Sequence, residues 1–186
     1  FNPFQMEMAS LVGNSTHSDV TFYFPNEANC PSIAAHKAIL AIRCEPFSKM
    51  FSMSMMESNS GRIEIVDVPS SIFRVFLTFL YTGSLPAIDS MHDNLHLLKL
   101  SDKYFMGHLK SVCETRLKTF ISSSSLALLW ETAQLSHASS LQRSIVRFVS
   151  RYSDALMTSE GKKSLPKSLL IEVKAKLSQL SSTSSS

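Results

Sequence analysis

The sequence predicts an α+β fold that gives way to an all-α region at about residue 121. Three short segments with strand character come early, and amphipathic helical patterns dominate after them without strand–helix–strand alternation. The chain has 186 residues, of which 44% are hydrophobic and 18% are charged. Such a chain can build a core, either as one large domain or as two small ones.

The strands are predicted from residue type and alternation. Val20–Phe24 is β-branched and aromatic and stops at Pro25, which is typical of a strand. Ser32–Ala35 follows a polar turn, so a hairpin with the first strand is expected. Arg62–Val68 alternates with a period of two and closes at Pro69, which predicts a third strand.

Helices are predicted where apolar residues recur at three- and four-residue spacing. A short helix is expected within residues 2–12, and two more within Lys37–Phe51. The helix after Pro69 should be N-capped by Ser70 or Ser71 and should end before Gly83, because glycine favours the position just past a helix C-terminus.

Further helices are predicted from Leu95 to Phe105, with a break near Gly107, and around four later apolar stripes. Serines 122–125 are expected to cap the second of these stripes, and the serine-rich tail 181–186 is expected to be disordered. The stripes are Leu109, Val112, Cys113, Leu117 and Phe120; Leu126, Leu129, Trp130 and Ala133; Leu141, Ile145, Phe148, Val149 and Tyr152; and Leu169, Val173, Leu177 and Leu180.

Charge and hydropathy exclude several classes of partner. The net charge is +3 and the basic residues are scattered, the densest cluster being Lys162–Lys163, so no nucleic acid is expected. No apolar run approaches the ~20 residues of a membrane span, so no membrane partner is expected either. The chain begins at Phe1 rather than Met, and we expect it to be an excerpt from a longer polypeptide.

The reactive residue types form no recognisable catalytic or metal-binding pattern. Cys30, Cys44 and Cys113 are odd in number and lack a CxxC pair, which predicts unpaired thiols and an intracellular protein. His92 and His96 lack a third ligand nearby, so no metal or cofactor is expected. His36 has no catalytic motif around it and is interpreted as a packed, hydrogen-bonded structural residue. We therefore expect that the chain is not an enzyme.

Five motifs in order resemble the BTB (POZ) domain over roughly residues 18–120. They are Ser18–Phe22, Ala35–Ala41, Phe47–Phe51, Tyr81–Gly83 and Leu97–Tyr104, with Leu109 and Cys113-Glu114 behind the last. Residues 122–180 resemble the BACK (3-box) extension. The likeness is to the group that contains the speckle-type POZ protein and related cullin-3 substrate adaptors.

This resemblance implies a BTB/POZ fold, with helices packed around a small three-stranded sheet, followed by an all-α BACK-like region. It divides the chain into an N-terminal dimerisation helix (1–17), a BTB/POZ domain (18–121), a BACK-like region (122–180) and the tail (181–186). The apolar stripe Phe4, Met8, Leu11 and Val12 precedes the fold and is expected to bury itself in a homodimer.

The resemblance also implies a site for a cullin-3 type scaffold. A hydrophobic-x-Glu pattern stands at Met55-Met56-Glu57, after the second short helix, where family members bind cullin. Met55 and Glu57 are the expected anchors, with four neighbours: Phe51, Met53, Tyr104 and Phe105. Asp19 and Lys37 match positions that form a partly buried charged pocket near the dimer interface in several members.

Two functions from different classes follow from this resemblance. The first is a substrate adaptor of a cullin-3 type ubiquitin ligase, which dimerises and docks the scaffold while a domain outside this chain binds the substrate protein. The alternative is a transcriptional regulator that recruits corepressor peptides through its dimer groove. The BACK-like extension and Met55–Glu57 favour the adaptor. The substrate, its reader domain and the choice between cytoplasm and nucleus are not encoded in these residues.

Overall fold

The computed structural model describes residues 2–29, 31–52, 61–152 and 165–183, with the side chains of residues 177 and 179–183 left out. The chain divides into two compact units, Phe1–Leu109 and Lys110–Ser186. Strands occur in the first unit, and the described part of the second is helical, which confirms the predicted α+β class.

A three-stranded sheet lies in the first unit in the order β2-β1-β3. Strand β1 (Val20–Tyr23) pairs antiparallel with β2 (Ser32–Ala35), which confirms the predicted hairpin. Strand β3 (Arg62–Glu64) pairs parallel with the other edge of β1. The third strand is shorter than the seven residues predicted, although the Ile65 N–H still donates to the Tyr23 carbonyl at 2.8 Å.

The helices of the first unit surround this sheet in sequence. They are α1 (Pro3–Ser10), α2 (Lys37–Arg43), α3 (Glu45–Ser52), α4 (Ser70–Thr82), α5 (Met91–Lys103) and α6 (Gly107–Leu117), whose first turn lies in this unit. Gly83 follows α4 with φ +72°, the left-handed conformation predicted for it. Gly107 begins a helix instead of merely interrupting one.

Helix α4 is capped by a residue that the sequence pattern did not indicate. Neither Ser70 nor Ser71 is the N-cap, because the helix starts at Ser70 and Pro69 precedes it. The carboxylate of Glu27 instead accepts hydrogen bonds from the backbone N–H and the hydroxyl of Ser70. A carboxylate there satisfies a donor that the helix cannot satisfy itself and complements the positive end of the helix dipole.

Aromatic side chains form the centre of the first unit. Phe22 of β1 lies 4.8 Å from Phe73 of α4 and 5.7 Å from Phe47 of α3, measured between ring centres. Phe76 is 5.7 Å from Phe73 and continues the cluster. These four rings are fully buried, so they join the sheet to the helices in the core of this unit.

The second unit consists of helices over its described length. It contains the rest of α6, a 3₁₀ turn (Lys118–Phe120), α7 (Leu126–Leu135), α8 (Ser139–Arg151) and α9 (Lys167–Thr183). Most described residues of its predicted apolar stripes are buried, including Leu129, Trp130, Leu141, Ile145, Val149, Leu169 and Val173. Tyr152, which was predicted to belong to one of these stripes, is 49% exposed. Helix α9 includes residues 181–183, so the predicted disordered tail begins as helix. Residues 184–186 lie outside the described part.

The serines before α7 act differently from the predicted cap. The Ser125 hydroxyl donates to the Phe120 carbonyl at 2.7 Å and accepts from the Ser122 N–H at 3.0 Å, so it closes the preceding turn rather than capping α7.

Among the described helices none is long and apolar enough to cross a membrane.

Candidate interaction surface

Half of the predicted scaffold-binding residues lie in the described part of the first unit. Phe51 is in the last turn of α3, and Tyr104 and Phe105 follow the end of α5 directly. Met53, Met55 and Glu57 lie outside the described residues. The sequence predicts a helix from Leu95 to Phe105, whereas α5 runs from Met91 to Lys103.

Phe47 joins the two segments that carry these residues. Its ring is stacked on Tyr104, with 4.9 Å between ring centres, and on Phe51, with 5.8 Å and an interplanar angle of 8°. Phe47 is fully buried, whereas Phe51 is half-buried. One buried ring therefore contacts both the last turn of α3, through Phe51, and the residue that follows α5, Tyr104.

Phe105 presents an aromatic ring to solvent from an uncommon backbone conformation. Its φ is +53°, and its side chain is 81% exposed. The Phe105 N–H donates to the Asp102 carbonyl at 3.1 Å and the Met106 N–H to the Ser101 carbonyl at 2.7 Å, the pair of bonds that makes a Schellman motif. Glycine usually takes this left-handed position, because other residues lose roughly 1–2 kcal/mol there. The left-handed backbone conformation of Phe105 therefore lowers the stability of the fold.

Two lysines border these rings. The Lys37 Nζ lies 5.7 Å from the centre of the Phe51 ring, and the Lys103 Nζ lies 5.5 Å from that of Tyr104. Lys103 also forms a 2.7 Å ion pair with Asp67. Burial, and then the nearby Asp67 carboxylate, raises the pKa of Tyr104 far above its usual range, so the phenol is neutral at physiological pH. The surface is an aromatic patch with a cationic rim.

Asp19 and Lys37 come together through the backbone. The Asp19 carboxylate accepts a hydrogen bond from the backbone N–H of Lys37 at 2.7 Å, in the first turn of α2. Within one chain Asp19 is exposed and Lys37 is half-buried. The partly buried charged pocket between their side chains stays a prediction.

The predicted dimerisation stripe is only partly helical. Helix α1 ends at Ser10, so Leu11 and Val12 fall in the following turn, where Gly13 at φ +82° donates its N–H to the Ala34 carbonyl. Phe4 is 65% exposed, whereas Met8, Leu11 and Val12 are half-buried. Met6, which the spacing did not single out, is 62% exposed.

A polar side chain fixes α1 to its own unit. The Gln5 amide donates to the Thr82 carbonyl at 3.2 Å and to the Ser84 hydroxyl at 2.8 Å, at the end of α4. Asn2 and Gln5 form a capping box, in which each side chain accepts from the backbone N–H of the other. Helix α1 is therefore held in place while its apolar side chains Phe4 and Met6 face outward.

His36 has the structural role predicted for it. Its Nδ1 is 3.0 Å from the Tyr81 hydroxyl, its Nε2 is 3.0 Å from the Thr16 carbonyl, and its backbone N–H donates to the same hydroxyl at 2.9 Å. Because the Thr16 carbonyl can only accept, Nε2 is the donor in that contact, and in the tautomer with its proton on Nε2 the Nδ1 accepts from the Tyr81 hydroxyl. Tyr81 is buried, and burial raises its pKa to about 12.

The described residues contain no cluster of three His, Cys, Asp or Glu side chains that could hold a metal ion. His92 and His96 share α5; burial, with Lys99 next, lowers the pKa of His96. Cys44 and Cys113 are buried and unpaired, as predicted, and Cys30 lies outside the described part of the chain.

A comparison with protein families gives one explanation for the sheet, the helices and the order of the sequence motifs. Residues 9–121, more than half of the chain, match the family model of the BTB/POZ domain. The match begins in α1, takes in β1, β2, β3 and the aromatic patch, and ends just after the 3₁₀ turn. The chain therefore belongs to the BTB/POZ domain family.

Proposed function

We propose that this chain is the dimerising, scaffold-binding part of a substrate adaptor for a cullin-3 type ubiquitin ligase. BTB/POZ domains are protein–protein interaction modules that mediate dimerisation, which is the general frame of the proposal. The chain itself performs no catalysis, and a domain outside these residues binds the substrate. It acts inside the cell, in the cytoplasm or the nucleus.

The observation that carries the proposal is the convergence of α3 and α5 over Phe47. Phe51 stacks on the Phe47 ring two residues before Met53, and Tyr104, which stacks on the same ring, directly precedes the exposed Phe105. Exposed aromatic rings are enriched at the centres of protein interfaces, because they bury much area for little loss of side-chain entropy. The left-handed backbone of Phe105 adds a cost that makes sense if the ring serves a partner.

The helical second unit supports the adaptor over the transcriptional regulator. Residues 122–180 resemble a BACK extension, and α7, α8 and α9 occupy the described part of that range. Zinc-finger members of the family usually lack such an extension. The adaptor therefore accounts for both units, whereas the regulator accounts for the first alone.

The proposed dimer uses apolar side chains of α1 that are exposed within one chain. Phe4 and Met6 are exposed there, and Gln5 holds the helix so that their positions are defined. A charge at Met6 should weaken self-association as much as a charge at Met8, which the sequence pattern favours. Light scattering of Met6→Asp and Met8→Asp at micromolar concentration measures this, and a strictly monomeric wild-type chain would contradict the dimer.

The test of scaffold binding compares charge insertions at exposed apolar positions. Phe105→Asp and Met55→Asp should each weaken binding of a purified cullin-3 N-terminal domain, with a loss of ~2 kcal/mol or more if they are central anchors, and Glu57→Ala should be intermediate. Ile171→Asp, at a 67% exposed position of α9, is the matched control and should bind normally. Melting temperature and dimer mass should be unchanged in all four.

Two outcomes would defeat the proposal. Normal cullin binding by both Phe105→Asp and Met55→Asp would remove this surface from it. No cullin binding by the wild-type chain would remove the adaptor function, and binding of corepressor peptides to the dimer would then be the function to measure.

A further inference from the structure

Helix α8 of the second unit carries a row of unpaired arginines. Arg143, Arg147 and Arg151 follow one another at four-residue spacing, so they lie within one sector of the helix, and all three are exposed. Helix α8 contains no Asp or Glu. Within the described residues these guanidinium groups form no ion pair and no hydrogen bond, so their charges are available to a ligand.

Helix α9 adds to the same charge imbalance. It carries Lys167, Lys174 and Lys176 against a single acidic residue, Glu172. Together α8 and α9 hold six basic residues and one acidic residue, a net charge of +5, whereas the whole chain carries +3. The remainder of the chain is therefore net negative, and the positive charge is concentrated on these two helices.

A groove of about 380 Å³ lies among α7, α8 and α9, within the second unit. Three apolar residues line it, Trp130, Val146 and Ala175, and the charged residues Arg143, Lys176 and Glu172 line it as well. Its remaining lining residue, Gln142, donates its amide to the Ala133 carbonyl at 2.8 Å. The Trp130 indole N–H donates to the Ser168 hydroxyl at 2.8 Å. The polar groups of Trp130 and Gln142 thus have hydrogen-bond partners within the unit, whereas the charged groups of Arg143 and Lys176 have none among the described residues.

We infer that this groove, referred to below as the α8–α9 groove, binds a short acidic peptide segment of a partner protein that carries one apolar side chain. The volume is at the low end for ligand pockets and suits a side chain or two rather than a folded surface. The apolar side chain would enter between Trp130, Val146 and Ala175. Flanking carboxylates would pair with Arg143 and Lys176, and further acidic residues would run along Arg147 and Arg151.

Two other occupants fit the observations less well. Arg143 and Arg151 are eight residues apart, a length of ~12 Å along the helix, which covers few phosphates of a nucleic acid. The groove also has an apolar lining, Trp130, Val146 and Ala175, for which a phosphate backbone has no matching group. A second copy of this chain would bring two arginine rows toward each other, which is unfavourable. This inference does not depend on cullin binding.

The test uses the full 186-residue chain and a fluorescein-labelled eight-residue peptide of glutamates with a central leucine. Fluorescence anisotropy should show saturable binding that weakens when NaCl rises from about 0.05 M to about 0.5 M, because exposed charge pairs are screened. Arg143→Glu and Lys176→Glu should each weaken binding about tenfold. Ala175→Phe should abolish it by filling the groove.

Lys174→Glu is the matched control for Lys176→Glu. It makes the same charge change on the same helix at an exposed residue that does not line the groove, and it should alter affinity less than twofold. A peptide in which alanine replaces the leucine should bind at least fivefold more weakly than the parent. Melting curves of all variants identify any that fail to fold, and Lys176→Glu is expected to fold because its side chain is partly exposed.

Four results would overturn the inference. They are no binding of the peptide by the wild-type chain at about 1 mM, equal loss in Lys174→Glu and Lys176→Glu, equal binding of the alanine peptide, and tighter binding of a single-stranded oligonucleotide of the same charge. A fifth result, loss of self-association in Ala175→Phe, would assign the α8–α9 groove to a second copy and would overturn the inference as well.

Discussion

The hydrogen bonds between Tyr81 and His36 offer a sharp test of what holds the first unit together. Tyr81→Phe removes one oxygen atom and leaves the ring in place. That oxygen accepts from the His36 backbone N–H at 2.9 Å and donates to the His36 Nδ1 at 3.0 Å. The substitution leaves a donor and an acceptor of His36 without their partner. A typical hydrogen bond contributes about 1 kcal/mol net, so we expect a loss of about 2 kcal/mol in the free energy of unfolding.

The partial exposure of His36 sets an upper limit on the loss of unfolding free energy in Tyr81→Phe. Tyr81 is buried, but His36 is only half-buried, so water can reach part of its backbone and ring after the change. The full penalty for two stranded groups, up to ~3 kcal/mol each, therefore does not apply. A loss between about 1 and 3 kcal/mol is consistent with the geometry.

Tyr104→Phe provides the matched control. Tyr104 is also buried, and among the described residues its hydroxyl has no hydrogen-bond partner. The same oxygen is removed, yet no group is stranded, so the change should stay within about 0.5 kcal/mol. Urea denaturation followed by circular dichroism measures both variants. Equal losses in the two would refute the role assigned to the Tyr81 hydroxyl.

Three further predictions concern titration, thiol reactivity and capping. Because burial raises the folded-state pKa of Tyr81 to about 12 from an ordinary value of 10, the folded chain holds this proton more tightly than the unfolded chain. The resulting stability is complete below pH 10 and is lost as pH rises toward about 12, so unfolding free energy should fall more steeply over that range in wild type than in Tyr81→Phe. Burial raises the pKa of Cys44 and raises that of Cys113 to about 12, so peptide mapping after iodoacetamide treatment at neutral pH should find both unmodified in the native chain and modified in urea. Rapid native labelling of Cys113 would contradict its burial. Glu27→Ala removes the cap of α4 and should cost about 1–2 kcal/mol, whereas Glu45→Ala, which breaks an exposed ion pair with Lys49, should leave the melting temperature unchanged.

Patterns of residue type within short stretches of sequence were sufficient to predict the structural elements whose contacts lie close together in the chain. The β1–β2 hairpin has its strands separated by one turn, and α4 ends at Gly83 because glycine takes the left-handed conformation at no cost. The parallel pairing of β1 with β3 could not be predicted, since a period of two indicates which side chains are buried but not which strand is the partner. The end of α5 was missed because Phe105 occupies a position where glycine is the usual signal.

In the candidate site as well, residues within sequence motifs could be predicted, whereas contacts between residues far apart in the chain could not. Family resemblance assigned Phe51, Tyr104 and Phe105 to the site, whereas it included Phe47 only as the start of a motif and did not indicate that its ring contacts both segments. No spacing rule connects Glu27 with Ser70, or Tyr81 with His36, because these contacts join residues more than forty positions apart. The α8–α9 groove likewise needs three helices in place, although the four-residue spacing of its arginines was visible in the sequence.

The central position of β1 has a consequence for the order in which the sheet forms. Pairing with β2 closes a loop of about eight residues, whereas pairing with β3 closes about 38, which costs roughly 1.4 kcal/mol more in chain entropy. Helices α2 and α3 lie within the longer loop, so their docking onto β1 through Phe22 and Phe47 must accompany its closure. We expect the hairpin to be present in the folding transition state and β3 to join late. Ile33→Val should then slow folding, whereas Ile63→Val should mainly accelerate unfolding in stopped-flow measurements, and the opposite assignment would reverse this order.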